Sequence, residues 1–252
     1  MKKIINALFL FTVLFSAATV KAQQTDTIKT KGWFRHNAAG AAQIQVTYRK
    51  ANINQLNRVL NNNGIASITP KNIWINASMS HICNNWLFEN GIGFTPIAHK
   101  TENNLKVTYN QYQLYLRTGY NITKNSDFRL YPFAGINFSA AVLDVQDKNR
   151  TQSVTNFSDE ILNSTSSKTF YQPNFGIELG AGFDYAIKLK PKKVDCFTIE
   201  RNIPIGIRAG YYINTYAGDW KINNYSLQNG PNQKQSAVFV SFNIGLGYKV
   251  VK

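Results

Sequence analysis

The C-terminal stretch of the chain, residues 237–250, alternates between an apolar set of side chains and a set dominated by small or polar ones. A period of two over this length predicts a β-strand. It is long enough to cross a bilayer, which takes ~9–11 tilted residues. In a water-soluble sandwich the apolar face would point inward, so the alternation alone leaves both architectures open. The apolar positions are Val238, Val240, Phe242, Ile244, Leu246, Tyr248 and Val250.

The same alternation recurs about eight times along the chain. An even number of strands is what single-chain bacterial outer-membrane barrels have. The sequence therefore predicts an all-β fold: one closed antiparallel transmembrane β-barrel of about eight strands. The predicted strands cover residues 41–48, 73–82, 86–97, 107–120, 128–143, 175–187, 203–213 and 237–250.

The connections between these segments alternate in length as well. Long polar connections are typical of the extracellular side of such a barrel, and short turns are typical of its periplasmic side. Residues 188–202 are too long for a simple turn and carry several lysines, which predicts a small periplasmic flap. The long connections are residues 50–71, 98–106, 145–172 and 215–235.

The N-terminus has the features of a secretory signal. Lys2 and Lys3 precede an apolar run over residues 4–15, and small residues lead to Ala22. This order predicts a cleaved signal peptide over residues 1–22. We then expect a periplasmic lead-in over residues 23–37 and a single barrel domain over residues 38–252. Residue 23 is Gln, so no N-terminal lipid anchor is expected.

Composition agrees with a surface that partly faces lipid. Charged residues make up 16% of the chain and aromatic residues 13%, whereas an aqueous domain usually has about 25% charged residues. The formal net charge is +15, but the basic residues are dispersed. We therefore expect anionic lipid headgroups to be the counter-charge, and no nucleic-acid partner.

If the apolar set faces lipid, the opposite set faces the barrel interior and includes charged residues. An interior of ~8 strands is just wide enough to be filled by side chains, and buried charges must pair. We predict an ion network that plugs the lumen, with inward glycines such as Gly91, Gly135 and Gly182 making room for arginine side chains. The alternative is an ion-conducting constriction. The inward charged residues are Glu89, Arg117, Arg129, Glu178, Asp184, Arg208 and Lys249.

Two further patterns concern the ends of the barrel. Aromatic residues near the predicted periplasmic strand ends, Trp86, Tyr120, Phe128, Tyr185 and Tyr248, suggest an interfacial girdle, although aromatic residues are common in strands generally. In the first outer loop, residues 52–63 carry apolar residues at helical spacing, with Asn52 as a candidate cap and Gly64 as a stop. Two interpretations fit this pattern: a self-packed ordered loop, which we favour, and a short amphipathic helix that docks on the rim or is offered to a partner.

Cysteine and histidine usage indicates no catalytic or metal site. Cys83 and Cys196 both fall on the predicted periplasmic side, which is oxidising, so a disulfide is one alternative, but their separation cannot be judged from sequence. Two lone cysteines do not supply the ligand set of a metal site. His36, His81 and His99 show no recognisable spacing to a nucleophile and an acid. We predict no enzymatic activity and no cofactor.

Three features of the chain carry a family resemblance: the signal ending Val20-Lys21-Ala22-Gln23-Gln24, the stretches Leu56-Asn57-Arg58-Val59-Leu60 and Asn63-Gly64-Ile65, and Trp220 with Gly230-Pro231-Asn232. In these features the chain resembles the small outer-membrane β-barrel proteins of Bacteroidetes-type bacteria, which include the PorT-like proteins. This resemblance implies insertion into the outer membrane by the barrel-assembly machinery, and it implies no catalytic residue. The chain departs from the general pattern because it ends in Lys252; Tyr248 is the nearest aromatic candidate for the assembly signal.

Together these features predict an outer-membrane barrel of a Gram-negative bacterium with a structural or surface-interaction role. Its outer loops would contact outer-membrane lipid and glycolipid, an external ligand or an envelope protein. One alternative is an accessory component of a protein-secretion or envelope-assembly complex, acting through the periplasmic flap. Two others are a barrel enzyme that acts on lipid and a narrow channel.

Overall fold

The computed structural model describes residues 39–123, 127–148, 167–194, 197–231 and 235–251. The predicted signal peptide and lead-in lie outside these residues. One helix, α1 (Asn54–Asn62), follows the first strand. The strands are β1 (Ala39–Arg49), β2 (Ile73–Cys83), β3 (Trp86–Phe94), β4 (Ala98–Glu102), β5 (Leu105–Tyr120), β6 (Phe128–Asp147), β7 (Ser167–Lys188), β8 (Lys192–Val194), β9 (Phe197–Ala217), β10 (Lys221–Ile222), β11 (Tyr225–Ser226) and β12 (Ala237–Val251).

Eight of the strands close into a barrel. They pair antiparallel in the order β1, β2, β3, β5, β6, β7, β9, β12. The last strand then pairs with the first from Ala39↔Lys249 to Arg49↔Phe239. No edge is left open along this wall, as a structure that spans lipid requires. The predicted fold class is confirmed.

The predicted outer loops are partly strand. β6 continues to Asp147, β7 begins at Ser167, and β9 continues to Ala217. The predicted bounds of the loops 145–172 and 215–235 are therefore wrong, because both ranges include residues that belong to strands. Likewise, β3 ends at Phe94, and residues 98–106 form a hairpin of β4 on β5. These strands continue to pair beyond the membrane, where neither face is consistently apolar. A prediction based on alternation therefore ends each strand at the edge of the apolar belt.

Asparagine pairs make two of the turns at this outer end. Asn103 and Asn104 have φ values of 49° and 60°, and Asn223 and Asn224 have φ values of 47° and 72°. Positive φ at both central residues is typical of the type I′ hairpin turn, and asparagine tolerates it. These turns connect β4 to β5 and β10 to β11.

The predicted periplasmic flap is a small strand addition. β8 pairs with the first residues of β9, from Lys192↔Ile199 to Val194↔Phe197. The barrel strand therefore starts earlier than the predicted residue 203. The guanidinium of Arg201 also donates to the carbonyl oxygen of Lys190, with its Nη2 3.1 Å from that oxygen.

A belt of exposed apolar side chains surrounds the barrel. In water such a continuous apolar surface would cause aggregation, whereas in a bilayer it meets the hydrocarbon. The barrel is therefore an outer-membrane protein of the kind found in Gram-negative bacteria. Among the described residues, no helix has the length and apolarity to cross a membrane. The belt includes Ile44, Met79, Ile92, Tyr112, Phe138, Leu179, Ile207 and Leu246.

Aromatic residues lie at the lower edge of this belt, close to the short turns. Trp86, Tyr120, Tyr185 and Tyr248 are exposed, and the rings of Trp86 and Tyr120 pack edge to face with centroids 5.3 Å apart. Phe128 is half-buried at the same end. Their positions agree with the predicted girdle at the headgroup level.

Candidate functional site

The barrel lumen holds the buried charges of the described chain. Three arginines and three carboxylates are buried there, so the formal charges balance. They project from β1, β3, β5, β7 and β9 and therefore meet across the barrel from nearly every side. These residues are Arg49, Glu89, Arg117, Glu178, Asp184 and Arg208; we call them the lumen network.

Glu89 is the acceptor at the centre of the network. Nη1 of Arg208 donates to both of its carboxylate oxygens, at 2.7 and 2.6 Å. Gln45 Nε2 donates to the Oε1 atom at 2.5 Å, and Arg117 Nη1 lies 3.6 Å from the same oxygen. A carboxylate flanked by two guanidinium groups and an amide is fully satisfied although it is removed from water.

Arg117 joins this centre to a second carboxylate. Its Nε donates to Oε2 of Glu178 at 2.6 Å, and Asn137 Nδ2 donates to Oε1 at 2.8 Å. Arg49 Nη1 lies 3.9 Å from the same carboxylate. Each ionic contact therefore shares a residue with another, which makes the charges one network.

The third carboxylate is reached through a tyrosine. Arg208 Nε donates to the hydroxyl oxygen of Tyr131 at 2.9 Å, and that hydroxyl donates to Oδ2 of Asp184 at 3.0 Å. Asn243 Nδ2 donates to Oδ1 at 3.2 Å. The hydroxyl both accepts and donates, so the position of Tyr131 depends on both charged neighbours.

The structure brings together Glu89, Arg117, Glu178, Asp184 and Arg208 from the predicted set and places two others elsewhere. Lys249 does not belong to the network: its side chain is 44% exposed and its Nζ lies 4.0 Å from Glu200. Arg129 is half-buried. It lies opposite Asp184 in the backbone ladder between β6 and β7, near the short-turn end. Both residues point inward by alternation, but they lie where the lumen opens to water, so burial does not force them into the network.

Arg49 is the network residue that sequence reasoning missed. The predicted first strand stopped at Tyr48, although the inward series of Gln43, Gln45 and Thr47 continues to it. Its guanidinium carbon lies 4.2 Å from the ring centroid of Trp74 and 4.4 Å from that of Tyr212. Extending the alternation by one inward position would have found it.

Aromatic rings fill another part of the lumen, and the glycines accommodate them. A Cβ atom added at Gly91 would meet the ring of Tyr115, and one at Gly182 would meet the ring of Tyr131. Gly135 alone of the three glycines considered above lies against an arginine, Arg117. The expectation that the glycines make room mainly for arginines is therefore corrected. Other rings in the lumen belong to Phe133, Tyr212 and Phe239.

The extracellular mouth is covered by α1 and its neighbours. Ile53, Leu56 and Leu60 are buried against Tyr109 and Trp220. The segment forms the short helix and not the favoured ordered loop. Ile53 is its N-cap residue, whereas the candidate cap Asn52 accepts through Oδ1 from the amide of Asn54 at 3.2 Å. Gly64 follows the helix with a φ of 69°, as expected of a stop. We call this cluster and the β10–β11 hairpin the cap.

Polar contacts fix the cap in place. The Asn57 side chain donates to the carbonyl oxygen of Ile68 at 2.9 Å and accepts from its amide at 2.9 Å. Gln111 Nε2 donates to the Tyr109 hydroxyl at 2.6 Å. Tyr109 lies above the apolar belt, and burial raises the pKa of its hydroxyl to about 12. It therefore stays neutral at physiological pH.

The cap leaves an open cleft of about 440 Å³ on the extracellular side. It lies between α1, the outer ends of β6 and β7, and the β10–β11 hairpin. Its lining is mainly apolar, and Lys168 is the charged residue on it among the described residues. One wall is held by Trp220, whose Nε1 donates to the carbonyl oxygen of Pro231 at 3.0 Å. A cleft of this size and lining is typical of a ligand or partner site.

The remaining sequence candidates do not form a site. Cys83 is half-buried at the end of β2; Cys196 lies outside the described residues, so the disulfide stays a prediction. His81 and His99 are exposed on strands, and His36 lies outside the described part. Within that part, no group of three His, Cys, Asp or Glu residues could hold a metal ion.

The sequence matches no protein-family model and no curated protein. Solved structures with a similar fold include Neisserial surface protein A (13% identity, TM-score 0.40, 84% of this chain and 96% of that one). A major outer membrane protein from Thermus thermophilus is also similar (8%, 0.41, 84% and 99%). So is the outer membrane protease OmpT from Escherichia coli (9%, 0.30, 88% and 98%). The barrel assignment rests on the strand pairing and the apolar belt, not on these scores.

Proposed function

We propose that this protein is an outer-membrane barrel with a closed lumen that acts through its extracellular surface. The observation that carries the proposal is the lumen network, in which every buried carboxylate of the described chain is paired or hydrogen-bonded. A conducting pore needs a continuous path along its axis that ions can enter and leave. Here the side chains of Glu89, Arg117 and Arg208 are at most 3% exposed.

Opening the lumen would be expensive. Separating one partner of a buried ion pair costs about 3–5 kcal/mol, and the network would have to lose several such contacts at once. The narrow channel is therefore the weaker alternative. The cap above the lumen supports the same proposal, since it adds a second, apolar layer between the lumen and the outside.

The extracellular surface offers a place for a partner. The cleft presents apolar side chains to water, and Val59 on α1 is 41% exposed beside it. The proposed partners are surface glycolipid, an external ligand or another envelope protein. We also propose insertion by the barrel-assembly machinery and a relationship to the PorT-like barrels, which the stretch around Leu56 supports.

A second candidate function is an accessory role in secretion or envelope assembly. It is favoured by the exposed cations on the periplasmic side around β8, which present a basic surface to that compartment. They are Lys188, Lys190, Lys192 and Lys193. An enzymatic role has no such support from the described residues, although a protease is among the similar folds. We propose that the protein is not an enzyme.

Photocrosslinking from three positions tests these roles. A photoreactive residue at Val59 reports on the cap, one at Lys192 on the periplasmic surface, and one at Ile136 on the lipid-facing wall as a matched control. Capture of glycolipid or protein from position 59, in excess of position 136, supports the surface role. Capture of protein only from position 192 favours the second candidate instead. No capture from position 59 above that from position 136 contradicts the surface role.

A further inference from the structure

One polar side chain interrupts the apolar belt on β3. Asn90 lies on the outer face between Phe88 and Ile92, which are 49% and 62% exposed. Its neighbours in sequence, Glu89 and Gly91, face the lumen. Across the neighbouring strands it pairs with Met79 and Leu116. The carboxamide therefore stands in an otherwise apolar part of the wall.

Asn90 also lies near the middle of the membrane. β3 has 9 residues from Trp86 to Phe94, which is about the number needed to cross the hydrocarbon, and Asn90 is at its centre. The hydrocarbon is ~30 Å thick, so the headgroups are out of reach for a short side chain. Long side chains can reach the interface from within the bilayer, but asparagine cannot.

The carboxamide has no hydrogen-bond partner among the residues that the structure describes. A polar group without a partner is costly in hydrocarbon, where water is absent. The hydroxyl of Thr118, which also faces outward nearby, has no hydrogen-bond partner either, but neighbouring atoms cover its oxygen, so a second membrane segment could not reach it. Asn90 is thus a half-exposed polar group at a depth where lipid tails offer no donor or acceptor. Asparagine side chains in membrane helices form hydrogen bonds to neighbouring segments, so the carboxamide of Asn90 suggests such a contact.

The wall around Asn90 is concave. A shallow groove of about 770 Å³ runs across β12, β1, β2 and β3 on the lipid-facing side, and Asn90 lies on its margin. Ala42 and Ala77 are two small lipid-facing residues in its lining. Small residues allow two membrane segments to approach closely. The groove is bordered by Met79, Ile92 and Leu246.

We propose that this wall is the interface of a homodimer in the outer membrane, with Asn90 at its two-fold axis. A second copy inserts with the same orientation and depth, so its Asn90 lies at the same level without further assumption. Across a two-fold axis each carboxamide can donate through Nδ2 and accept through Oδ1, which satisfies both groups. Another protein would need its own polar group at this depth, and lipid tails have none.

Cysteine crosslinking within the wall tests the dimer. In a full-length chain with Cys83→Ser and Cys196→Ser, Ala77→Cys places a thiol in the groove and leaves Asn90 intact. Leu179→Cys, on the far wall, is the matched control. After insertion in an outer membrane and treatment with a short bis-maleimide, we expect a product of twice the monomer mass from position 77, well above that from position 179. Equal yields, or a product of another mass, would overturn the proposal.

The role of the carboxamide is tested by adding Asn90→Leu to the Ala77→Cys chain. Loss of a polar contact between membrane segments of this kind weakens association by about tenfold, so we expect crosslinking to fall accordingly at limiting protein density. Thr118→Val is the control and should leave it unchanged. A gel shift on boiling shows that each variant has folded. Unchanged crosslinking with Asn90→Leu would contradict the proposed axis.

Discussion

The lumen and the cap both close the barrel to the outside, but they do so with opposite kinds of side chain. In the lumen, charged and polar groups contact one another, and Arg208 and Glu89 have almost no contact with water. In the cap, apolar side chains from α1 and the outer strands pack together and leave an open cleft. Every buried charge that the structure describes in the lumen contacts another polar group of the lumen, whereas the cap exposes apolar surface. The difference directs a functional role to the outside.

The largest effect is expected from breaking the lumen network at its centre. Glu89→Leu would leave Arg208 and Arg117 without their shared carboxylate, and an uncompensated buried charge costs about 3–5 kcal/mol. The free energy of unfolding in lipid vesicles, from urea titration, measures this loss. The double variant Glu89→Leu with Arg208→Met should be less destabilised than the sum of the single changes. Additive losses would mean that the pair is not coupled.

The cap should respond locally. Leu56→Ala removes a buried side chain, which costs about 2–5 kcal/mol where packing cannot relax. Because the barrel wall does not depend on α1, we expect proteolysis in residues 50–72 to accelerate while the unboiled gel mobility stays unchanged. Val59→Ala, on the exposed side of the helix, is the matched control. Loss of the unboiled fast-migrating form would show that cap and barrel unfold together.

A smaller effect is expected from the fit between glycines and rings. Gly182→Ala would place a methyl group against the ring of Tyr131, and overpacking typically costs about 1–3 kcal/mol. Ala181→Val, on the lipid-facing side of the same strand, is the control and should change stability little. Urea titration of both variants checks the difference. Equal stability of the Gly182→Ala variant and the unaltered protein would mean that the lumen is loosely packed there.

The smallest effect is expected at the rim. Lys249 and Glu200 form an ion pair that is about half exposed, and such pairs contribute about 0.2–1 kcal/mol or less. Lys249→Ala should therefore change the free energy of unfolding far less than Arg208→Ala. Both cations face inward by alternation, but only Arg208 is buried. A larger loss of stability for Arg208→Ala than for Lys249→Ala would therefore show that burial, not alternation alone, makes a residue part of the lumen network.

The sequence was sufficient for the wall of this barrel and for the core of the network. Alternation fixes which face of a strand each residue occupies, so Glu89, Arg117 and Arg208 could be assigned to the inside. Alternation does not report height along the barrel axis, which separates Arg208 from Lys249. It also does not show which strand lies opposite, and the contacts of glycines with Tyr115 and Tyr131 depend on that. The outer extensions of β6 and β7 lie above the belt, where both faces meet water and no apolar pattern marks the strand.

The most direct test of the central claim is electrical. The full-length protein is reconstituted in a planar bilayer, and its folding is verified by its gel shift on boiling. A lumen filled by paired side chains predicts no steady single-channel current, while Glu89→Ala with Arg117→Ala, which empties the centre of the network, allows one if the barrel still folds. Steady currents from the unaltered protein that change when Arg117 is replaced would contradict the closed lumen.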